Sequence, residues 1–174
     1  AEGEQSGARL GYSVATAGDV NGDGYADVIV GAPRYDDGDT DEGKAFVWYG
    51  SEDGLNGGVP GTPANAVWGT QSNQESAQLG WAVSTAGDVD GDGYADVIIG
   101  VPFYTYEQEE EGAARLYRGS SSGLYPAYDN HDEGNQAGAE FGRSVAMAGD
   151  VNGDGYGDFF VTAYADAYLI LGRK

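Results

Sequence analysis

One ten-residue pattern occurs three times in the sequence, and this repetition constrains the fold more than any other feature. The copies occupy residues 18–27, 87–96 and 149–158, and each reads Gly-Asp-Val-Asn/Asp-Gly-Asp-Gly-Tyr-Ala/Gly-Asp. Counted from the first aspartate, oxygen-bearing side chains fall at positions 1, 3, 5 and 9, with glycines between them. A tight loop with this spacing turns these side chains toward one point, as a hard cation requires. The candidate ligands are Asp19, Asn21, Asp23 and Asp27, then Asp88, Asp90, Asp92 and Asp96, and finally Asp150, Asn152, Asp154 and Asp158.

Calcium is the cation that this ligand set favours. It accepts about six to eight oxygen ligands, whereas Mg²⁺ keeps several waters and seldom occupies a site made only of protein groups. The first five positions also fit an EF-hand, but that motif needs a glutamate at position 12 and flanking helices. Position 12 is Val30, Ile99 or Val161, each within an apolar run typical of a buried strand. A hairpin turn without metal remains the alternative, and it explains one isolated copy better than three.

The full repeat is longer than the loop. Each loop follows a Leu-Gly or Phe-Gly pair, at residues 10, 79 and 141, and precedes a buried strand. That strand ends in Gly-Ala-Pro or Gly-Val-Pro in the first two copies, and a variable acidic loop and a third strand come next. Weak fourth strands are expected near residues 64–68 and 125–130. The period of roughly 65 residues fits a four-stranded propeller blade. We therefore expect one all-β domain over residues 1–174, with repeats at about 10–78, 79–140 and 141–174.

Composition narrows the possible functions. No apolar run reaches the roughly 18 residues that a membrane-spanning helix needs. The chain contains no cysteine, which excludes disulfides and thiolate metal sites. Its net charge of -21 argues against binding nucleic acid, because phosphates would be repelled. The absence of cysteine and of Asn-x-Ser/Thr acceptors is compatible with a bacterial surface protein, and we expect a bacterial source.

The Phe/Leu-Gly pair, the aspartate-rich loop and the Gly-Ala-Pro end together resemble the FG-GAP repeat of integrin α-subunit β-propellers. Similar repeats occur in secreted bacterial proteins, and the resemblance covers nearly the whole chain. It implies blades of four antiparallel strands, with Ca²⁺ in the hairpin between strands 1 and 2 and ligands on the opposite face. It assigns the side chains named above to three Ca²⁺ sites, to which Tyr25, Tyr94 and Tyr156 add backbone carbonyls.

The third copy departs from this family pattern. Residues 161–164 read Val-Thr-Ala-Tyr where Gly-Ala-Pro is expected, and the following loop shrinks to a few residues around Asp166. Closed propellers have about four to eight blades, so three blades predict an incomplete ring with unpaired edges. We expect its open sides to be apolar, with residues such as Val14, Val145 and Phe159. Self-association or a complementary propeller half is expected to cover them.

Catalysis is not expected, and the chain is predicted not to be an enzyme. His131 is the only histidine and lies in a polar stretch typical of an exposed loop. No nucleophile elbow and no phosphate-binding glycine loop is present. Aspartates held by calcium are also unavailable as general acids. Trp48, Trp68 and Trp81 are expected to pack between blades rather than to form a ligand cage.

Two acidic runs, residues 36–42 and 107–111, are either solvated loops or part of a binding surface. Both connect strands 2 and 3, so they are expected on one face, beside Tyr35, Phe103, Tyr104 and Tyr106. The sequence thus predicts a calcium-binding FG-GAP segment at the cell surface or outside the cell. Its predicted role is adhesion or protein interaction, with a protein or glycan ligand on this face. The alternative is a non-catalytic carbohydrate-binding or accessory domain of a secreted enzyme.

Overall fold

The computed structural model describes residues 5–173, except for the side chains of residues 130–132. Within this range the chain forms β-strands and two short 3-10 helices, Leu55–Gly58 and Pro63–Asn65. Neither of these helices has the length or the apolar character that crossing a membrane requires. The strands form three successive antiparallel sheets that do not close into a ring. The predicted all-β class and incomplete propeller are therefore confirmed.

Blade 1 contains four strands that pair in chain order. The cation loop joins its first two strands, and the ladder between them has an irregularity between Thr16 and Gly18. This irregularity brings Gly18 opposite Asp27, so the last loop position is also the first residue of the second strand. The strands are β1 (Ser13–Gly18), β2 (Asp27–Ala32), β3 (Lys44–Trp48) and β4 (Trp68–Gln71).

Blades 2 and 3 repeat this plan, but blade 3 has only three strands in the described part of the chain. Its second and third strands are joined by residues 163–166, as the short loop in the sequence predicts. The strands of blade 2 are β5 (Val83–Gly87), β6 (Asp96–Val101), β7 (Ala113–Tyr117) and β8 (Asn130–Glu133). Those of blade 3 are β9 (Ser144–Gly149), β10 (Asp158–Thr162) and β11 (Ala167–Ile170).

The fourth strands begin later than the sequence predicts. Residues 63–65 form a 3-10 helix, in which Asn65 Oδ1 accepts the Thr62 N–H at 2.7 Å, so β4 cannot start before it. In blade 2, Tyr125 donates its N–H to the Arg118 carbonyl and holds the preceding residues in a turn. The expectation of a loop around His131 is also wrong, since its backbone pairs with Arg115 in the ladder between β7 and β8.

The core lies between the blades rather than within them. Alternate residues of each strand face the preceding and the following blade, so the central strand β6 is buried along its whole length. The interface between blades 1 and 2 includes Ala17, Ile29 and Val47 from blade 1 and Val83, Val97 and Ile99 from blade 2. The interface between blades 2 and 3 includes Ile98 and Leu116 from blade 2 and Phe141, Val145 and Phe159 from blade 3.

One of the three residues expected on an open side is there, and two are not. Val14 is 62% exposed, whereas Val145 and Phe159 are 8% and 2% exposed. Val145 and Phe159 face blade 2 because strand alternation directs them toward the preceding blade. The open side of blade 3 instead presents Phe160 and Leu169, which lie opposite each other on β10 and β11.

The three tryptophans differ in whether they contact a neighbouring blade. Trp68 packs edge-on against Tyr117 of blade 2 with ring centroids 4.9 Å apart, and Trp81 contacts Tyr12 of blade 1 at 4.9 Å. These two residues join blades, as predicted. Trp48 does not, because its indole N–H donates to Asn65 Oδ1 within blade 1. The prediction for Trp48 is therefore wrong.

Candidate metal centre

The three aspartate-rich loops fold around the carboxylate at position 1. In the first loop, Asp19 Oδ1 accepts the N–H groups of Gly22 and Asp23 at 2.7 and 3.1 Å. Its Oδ2 accepts the N–H of Gly24 at 2.8 Å. Position 5 also accepts a backbone N–H, since Asp23 Oδ1 lies 2.9 Å from the Tyr25 nitrogen. The second and third loops make the same contacts through Asp88, Asp92, Asp150 and Asp154.

The carboxylate at position 9 is fully buried in every loop. Asp27 Oδ2 accepts the Val20 N–H and its Oδ1 accepts the Gly50 N–H, both at 2.9 Å. Gly50 follows the third strand, so this carboxylate ties the loop to that strand's end. Asp96 and Asp158 repeat the arrangement. In the described part of the chain, the ion pairs involve none of these three aspartates.

This burial without a cationic partner has an electrostatic consequence. Burial, reinforced by the Asp90 and Asp88 carboxylates, raises the pKa of Asp96 to about 7. The backbone N–H groups that Asp96 accepts act in the opposite direction but do not outweigh burial. Burial also raises the pKa of Asp27, and Asp23 and Asp19 add to that effect. A bound dication would offset this repulsion, since opposite charge nearby favours the ionised carboxylate.

Position 3 distinguishes the second loop from the other two. Asn21 and Asn152 each donate an amide N–H to the aspartate two residues later, at 2.9 and 2.8 Å. Asp90 cannot donate in this way, and it pairs instead with Arg118, which also pairs with Asp129. Asp88, Asp90 and Asp96 offer carboxylate oxygens that all lie within 4.8 Å of one another. Among the described residues this is the one group of three or more acidic, histidine or cysteine side chains so arranged.

Contacts between successive loops are a feature that the sequence analysis missed. The Asp19 carbonyl accepts the Ala95 N–H at 3.0 Å, and the Asp88 carbonyl accepts the Gly157 N–H at 2.7 Å. The ring of Tyr94 also lies against the first loop, and that of Tyr156 lies against the second. The tyrosine at position 7 of all three copies is the sequence feature that could have indicated these contacts between loops. The family resemblance assigns its backbone carbonyl to the cation and does not predict the contact that its side chain makes with the neighbouring blade.

The acidic loops between strands 2 and 3 are not uniformly solvated. Glu42 and Glu111, at their ends, are 1% and 0% exposed. The linker between blades 1 and 2 contacts both loops: the Ser76 N–H donates to the Thr40 carbonyl, and the Gln74 side chain donates to the Thr105 carbonyl, both at 2.8 Å. Of the four aromatic residues expected beside them, Tyr106 is well exposed, while Tyr35, Phe103 and Tyr104 are partly buried.

The repeat architecture has a match among known protein families. A family model described as the FG-GAP repeat matches residues 10–48, 79–117 and 141–169, which together exceed half of the chain. The chain belongs to the FG-GAP repeat family. The first two matched segments contain the first three strands of a blade and its cation loop, and the third covers the same elements of blade 3 except the last residue of β11. The matches thus confirm the resemblance that the sequence motifs indicate.

Several integrin alpha chains are similar to this FG-GAP segment. It is 31% identical to integrin alpha-4 of Xenopus laevis, 32% identical to integrin alpha-6 of Gallus gallus and 36% identical to integrin alpha-PS2 of Drosophila melanogaster. The alignments cover 99%, 98% and 97% of this chain but only 16%, 15% and 12% of those relatives. These relatives come from animals, so the expectation of a bacterial source gains no support and stays a prediction. The protein is an integrin α-like FG-GAP propeller segment.

Proposed function

We propose that this chain is a calcium-binding FG-GAP propeller segment that serves as an extracellular adhesion or protein-interaction module. The observation that supports the proposal best is in the second loop, where Asp88, Asp90 and Asp96 direct carboxylate oxygens to within 4.8 Å of one another. Like charges at this distance repel, and a dication between them converts repulsion into attraction. The first and third loops have the same hydrogen bonds to the carboxylates at positions 1, 5 and 9, so we extend the proposal to them.

Each proposed site uses oxygen donors only. Calcium suits this set better than magnesium because it tolerates irregular, all-protein coordination. The side-chain ligands occupy positions 1, 3, 5 and 9, and the tyrosine at position 7 supplies its backbone carbonyl. The three sites are Asp19, Asn21, Asp23, Tyr25 and Asp27; Asp88, Asp90, Asp92, Tyr94 and Asp96; and Asp150, Asn152, Asp154, Tyr156 and Asp158.

Calorimetry and thermal unfolding test this proposal together. We expect three calcium ions per chain, and two after Asp23→Asn, Asp92→Asn or Asp154→Asn. Asp53→Asn, an exposed aspartate outside the loops, is the matched control and should keep three. A ligand that binds only the folded state adds about 2.7 kcal/mol at a hundredfold excess over its Kd. An identical melting curve in calcium and in EDTA would contradict the cation assignment.

The proposed partner surface is formed by the loops at residues 33–43 and 102–112. It is supported by the linker that hydrogen-bonds to both loops, by their acidic residues and by the 65% exposed Tyr106. A protein with a basic surface or a glycan fits these groups. Binding assays with Tyr106→Ala test the surface, with Tyr164→Ala, an exposed tyrosine of blade 3, as control. Binding to glycans but not to proteins would favour the alternative role as an accessory domain of a secreted enzyme.

An extracellular or cell-surface location is part of the same proposal, as is the absence of catalytic activity. Calcium sites of extracellular modules commonly have Kd values of about 10⁻⁴–10⁻³ M, which suits loops open to solvent. The similarity to integrin alpha chains agrees with this location. The open sides of blades 1 and 3 also favour a larger assembly, formed either with a second copy or with a complementary set of blades. Cell fractionation of the native source tests the location. We expect the protein in the secreted or cell-surface fraction, with calcium bound.

A further inference from the structure

Successive cation loops are connected through their backbones. The Asp19 carbonyl of the first loop accepts the Ala95 N–H of the second at 3.0 Å. The Ala95 N–H belongs to the same peptide unit as the Tyr94 carbonyl, a proposed ligand of the second site. The Asp19 carbonyl belongs to the same unit as the Val20 N–H, which donates to Asp27 Oδ2 at 2.9 Å. This pair of hydrogen-bonded peptide units, the relay, connects a ligand of the first site with a ligand of the second.

The second and third loops are connected by a relay of the same kind. The Asp88 carbonyl accepts the Gly157 N–H at 2.7 Å. The peptide unit of this carbonyl also contains the Val89 N–H, which donates to Asp96 Oδ2 at 2.8 Å. The Gly157 N–H shares its unit with the carbonyl of Tyr156, a proposed ligand of the third site. The relay therefore occurs at both junctions between loops, and it uses the same loop positions each time.

A second connection lies after the third strand of the following blade. Gly119 donates its N–H to Asp96 Oδ1 at 2.8 Å. The next residue, Ser120, donates its N–H to the Val20 carbonyl of the first loop at 3.1 Å. The segment that holds the closing carboxylate of one site thus also holds the preceding loop. The corresponding donors of blade 3 are Gly172 and Arg173, with Asp158 Oδ1 and the Val89 carbonyl as acceptors.

Much of this connection is shielded from water. Asp27, Asp96 and Val20 are fully buried, and Val89 is 3% exposed. Hydrogen bonds in such low-dielectric surroundings are stronger than in water, and breaking one leaves a buried group unpaired. Val151, the counterpart of Val20 in the third loop, is 50% exposed. Among the described residues no hydrogen bond joins the first loop to the third, so the connections run only between neighbouring loops.

We infer that calcium ions in adjacent loops bind with positive cooperativity, because a filled site orders part of its neighbour through the relay. The inference rests on the proposed calcium sites and adds a coupling between them. When the second site is filled, residues 94–96 are held in place. This segment carries the Ala95 N–H, which binds the Asp19 carbonyl. It also carries the Tyr94 ring, which lies against Gly22. The first loop then loses less conformational freedom when its own cation binds, and by linkage the effect is reciprocal.

Electrostatic repulsion acts against this coupling. A filled neighbouring site has lost negative charge, which lowers the attraction for the next dication. The side chains at loop positions 1, 3 and 5 are partly or fully exposed, so salt screens their charges, with a Debye length of about 8 Å at about 0.15 M ionic strength. Salt leaves the buried relay intact. Titrations at about 0.15 M salt and above therefore separate the ordering effect from the charge effect.

Three matched variants test the inference, and each loses one carboxylate and one site. Asp23→Asn and Asp154→Asn leave two adjacent sites, whereas Asp92→Asn leaves two sites that are not adjacent. Calorimetric titration with calcium should show cooperative binding for both adjacent pairs and independent binding for the separated pair. The amide NMR signal of Gly22 reports filling of the first loop. By this signal the first site should bind calcium about fivefold more weakly in Asp92→Asn than in Asp154→Asn.

Tyr94→Ala tests the connection without removing a proposed ligand, because the backbone carbonyl stays. Made in the Asp154→Asn background, it should reduce the cooperativity between the first and second sites. Tyr25→Ala in the same background is the matched control. The Tyr25 side chain is 42% exposed and contacts no preceding blade in the part of the chain that the structure describes, so this variant should stay cooperative. Equal cooperativity in the two variants would show that the ring does not contribute to the coupling and would contradict that part of the inference.

Independent binding of two ions by all three variants would overturn the inference and leave the calcium sites in place. Negative cooperativity in the adjacent pairs would also overturn it, since charge would then outweigh ordering. A wild-type chain that binds no calcium would instead refute the proposed sites, and the inference with them. If a variant does not fold, the wild-type titration decides, followed at the amide signals of Gly22, Gly91 and Gly153. Curves steeper than single-site binding are expected, and three single-site curves would refute the coupling.

Discussion

The ring of Tyr94 in blade 2 lies against Gly22 in blade 1, where a Cβ would stand 2.6 Å from Tyr94 Cε1. Tyr156 and Gly91 make the same contact, with a corresponding distance of 2.8 Å. Gly153, the equivalent residue of blade 3, has no described atom within 4 Å of its hypothetical Cβ. Each cation loop that has a following blade is therefore also part of that blade's packing surface.

Alanine at these three glycines separates the cost of backbone strain from the cost of the blade contact. Gly22, Gly91 and Gly153 have φ of 74°, 74° and 76°, so each substitution carries a similar left-handed penalty of about 1 kcal/mol. We expect Gly22→Ala and Gly91→Ala to lose about 1–2 kcal/mol more than Gly153→Ala, because the tyrosine ring must shift. Urea unfolding in saturating calcium measures the difference. Equal losses at all three positions would show that the ring contact is unimportant.

The stability of the metal-free chain should fall as pH rises from about 4 to about 7. Asp96 titrates near 3.9 when unfolded but has a pKa of about 7 when folded, so the folded state binds more protons in this window. The loss has an upper limit of roughly 4 kcal/mol. Thermal unfolding in EDTA should show a weaker pH dependence for Asp96→Asn, while Asp53→Asn, an exposed control, should behave as wild type. Parallel pH profiles for all three proteins would contradict this assignment.

Arg118 should weaken calcium binding by the second loop. Asp90 adds a carboxylate where the other loops have asparagine, which favours tighter binding, but its pairing with Arg118 partly neutralises that charge. Removing a partly exposed charge pair changes free energy by up to about 1 kcal/mol, so Arg118→Gln should raise the affinity about threefold to fivefold. Calorimetry measures this, and Arg34→Gln, whose ion pair with Asp41 lies outside the loops, is the control. A lower affinity would mean that Arg118 positions Asp90 for the cation.

The two buried glutamates of the acidic loops should respond differently to loss of one oxygen. Glu42 uses both oxygens, since Oε1 accepts the Asp37 N–H at 2.7 Å and Oε2 accepts the Asn73 N–H at 3.1 Å. In Glu111, Oε1 accepts three backbone N–H groups, while Oε2 has no hydrogen-bond partner among the described residues. We expect Glu42→Gln to cost about 1–3 kcal/mol, because its amide must face an N–H donor.

Glu111→Gln should cost clearly less than Glu42→Gln, because it can replace an oxygen that accepts no hydrogen bond from the part of the chain that the structure describes. Denaturant unfolding of the pair gives the comparison, and each variant serves as the matched control of the other. Limited proteolysis adds a local measurement, since the loop at residues 33–43 should become more sensitive in Glu42→Gln. A larger loss for Glu111→Gln would indicate that its second oxygen binds a group, such as water, that stabilises the loop.

The sequence predicts the repeated elements well because the signals are local. The spacing of Asp19, Asn21 and Asp23 requires a tight loop, and the apolar run that follows requires a strand, so β1, β2 and their equivalents are foreseen. The short turn of blade 3 follows equally from its residues. The fourth strands lack such a pattern, and their starts depend on the helix at Pro63–Asn65 and on a turn held by Tyr125.

What the sequence could not predict depends on contacts between distant segments. Val145 and Phe159 were assigned to the wrong side, because a strand's alternation does not reveal which face meets the preceding blade. Asp96 is fully buried, and its carboxylate accepts the N–H of Gly119, more than twenty residues away in the sequence. The pairing of Asp90 with Arg118 joins a loop to a strand end and leaves no trace in local spacing.

The carbonyls of Asp19 and Asp88 accept N–H groups of Ala95 and Gly157, so each loop is shared between two neighbouring blades. This sharing sets the boundaries at which repeats can be duplicated or exchanged. A unit cut at its Phe/Leu-Gly pair would separate each of the first two loops from the tyrosine that packs on it. Successful shuffling of blades between FG-GAP chains therefore requires that the upstream neighbour keep glycine at loop position 4 and the downstream neighbour keep tyrosine at position 7. The unit that keeps these contacts intact runs from the middle of one blade to the middle of the next.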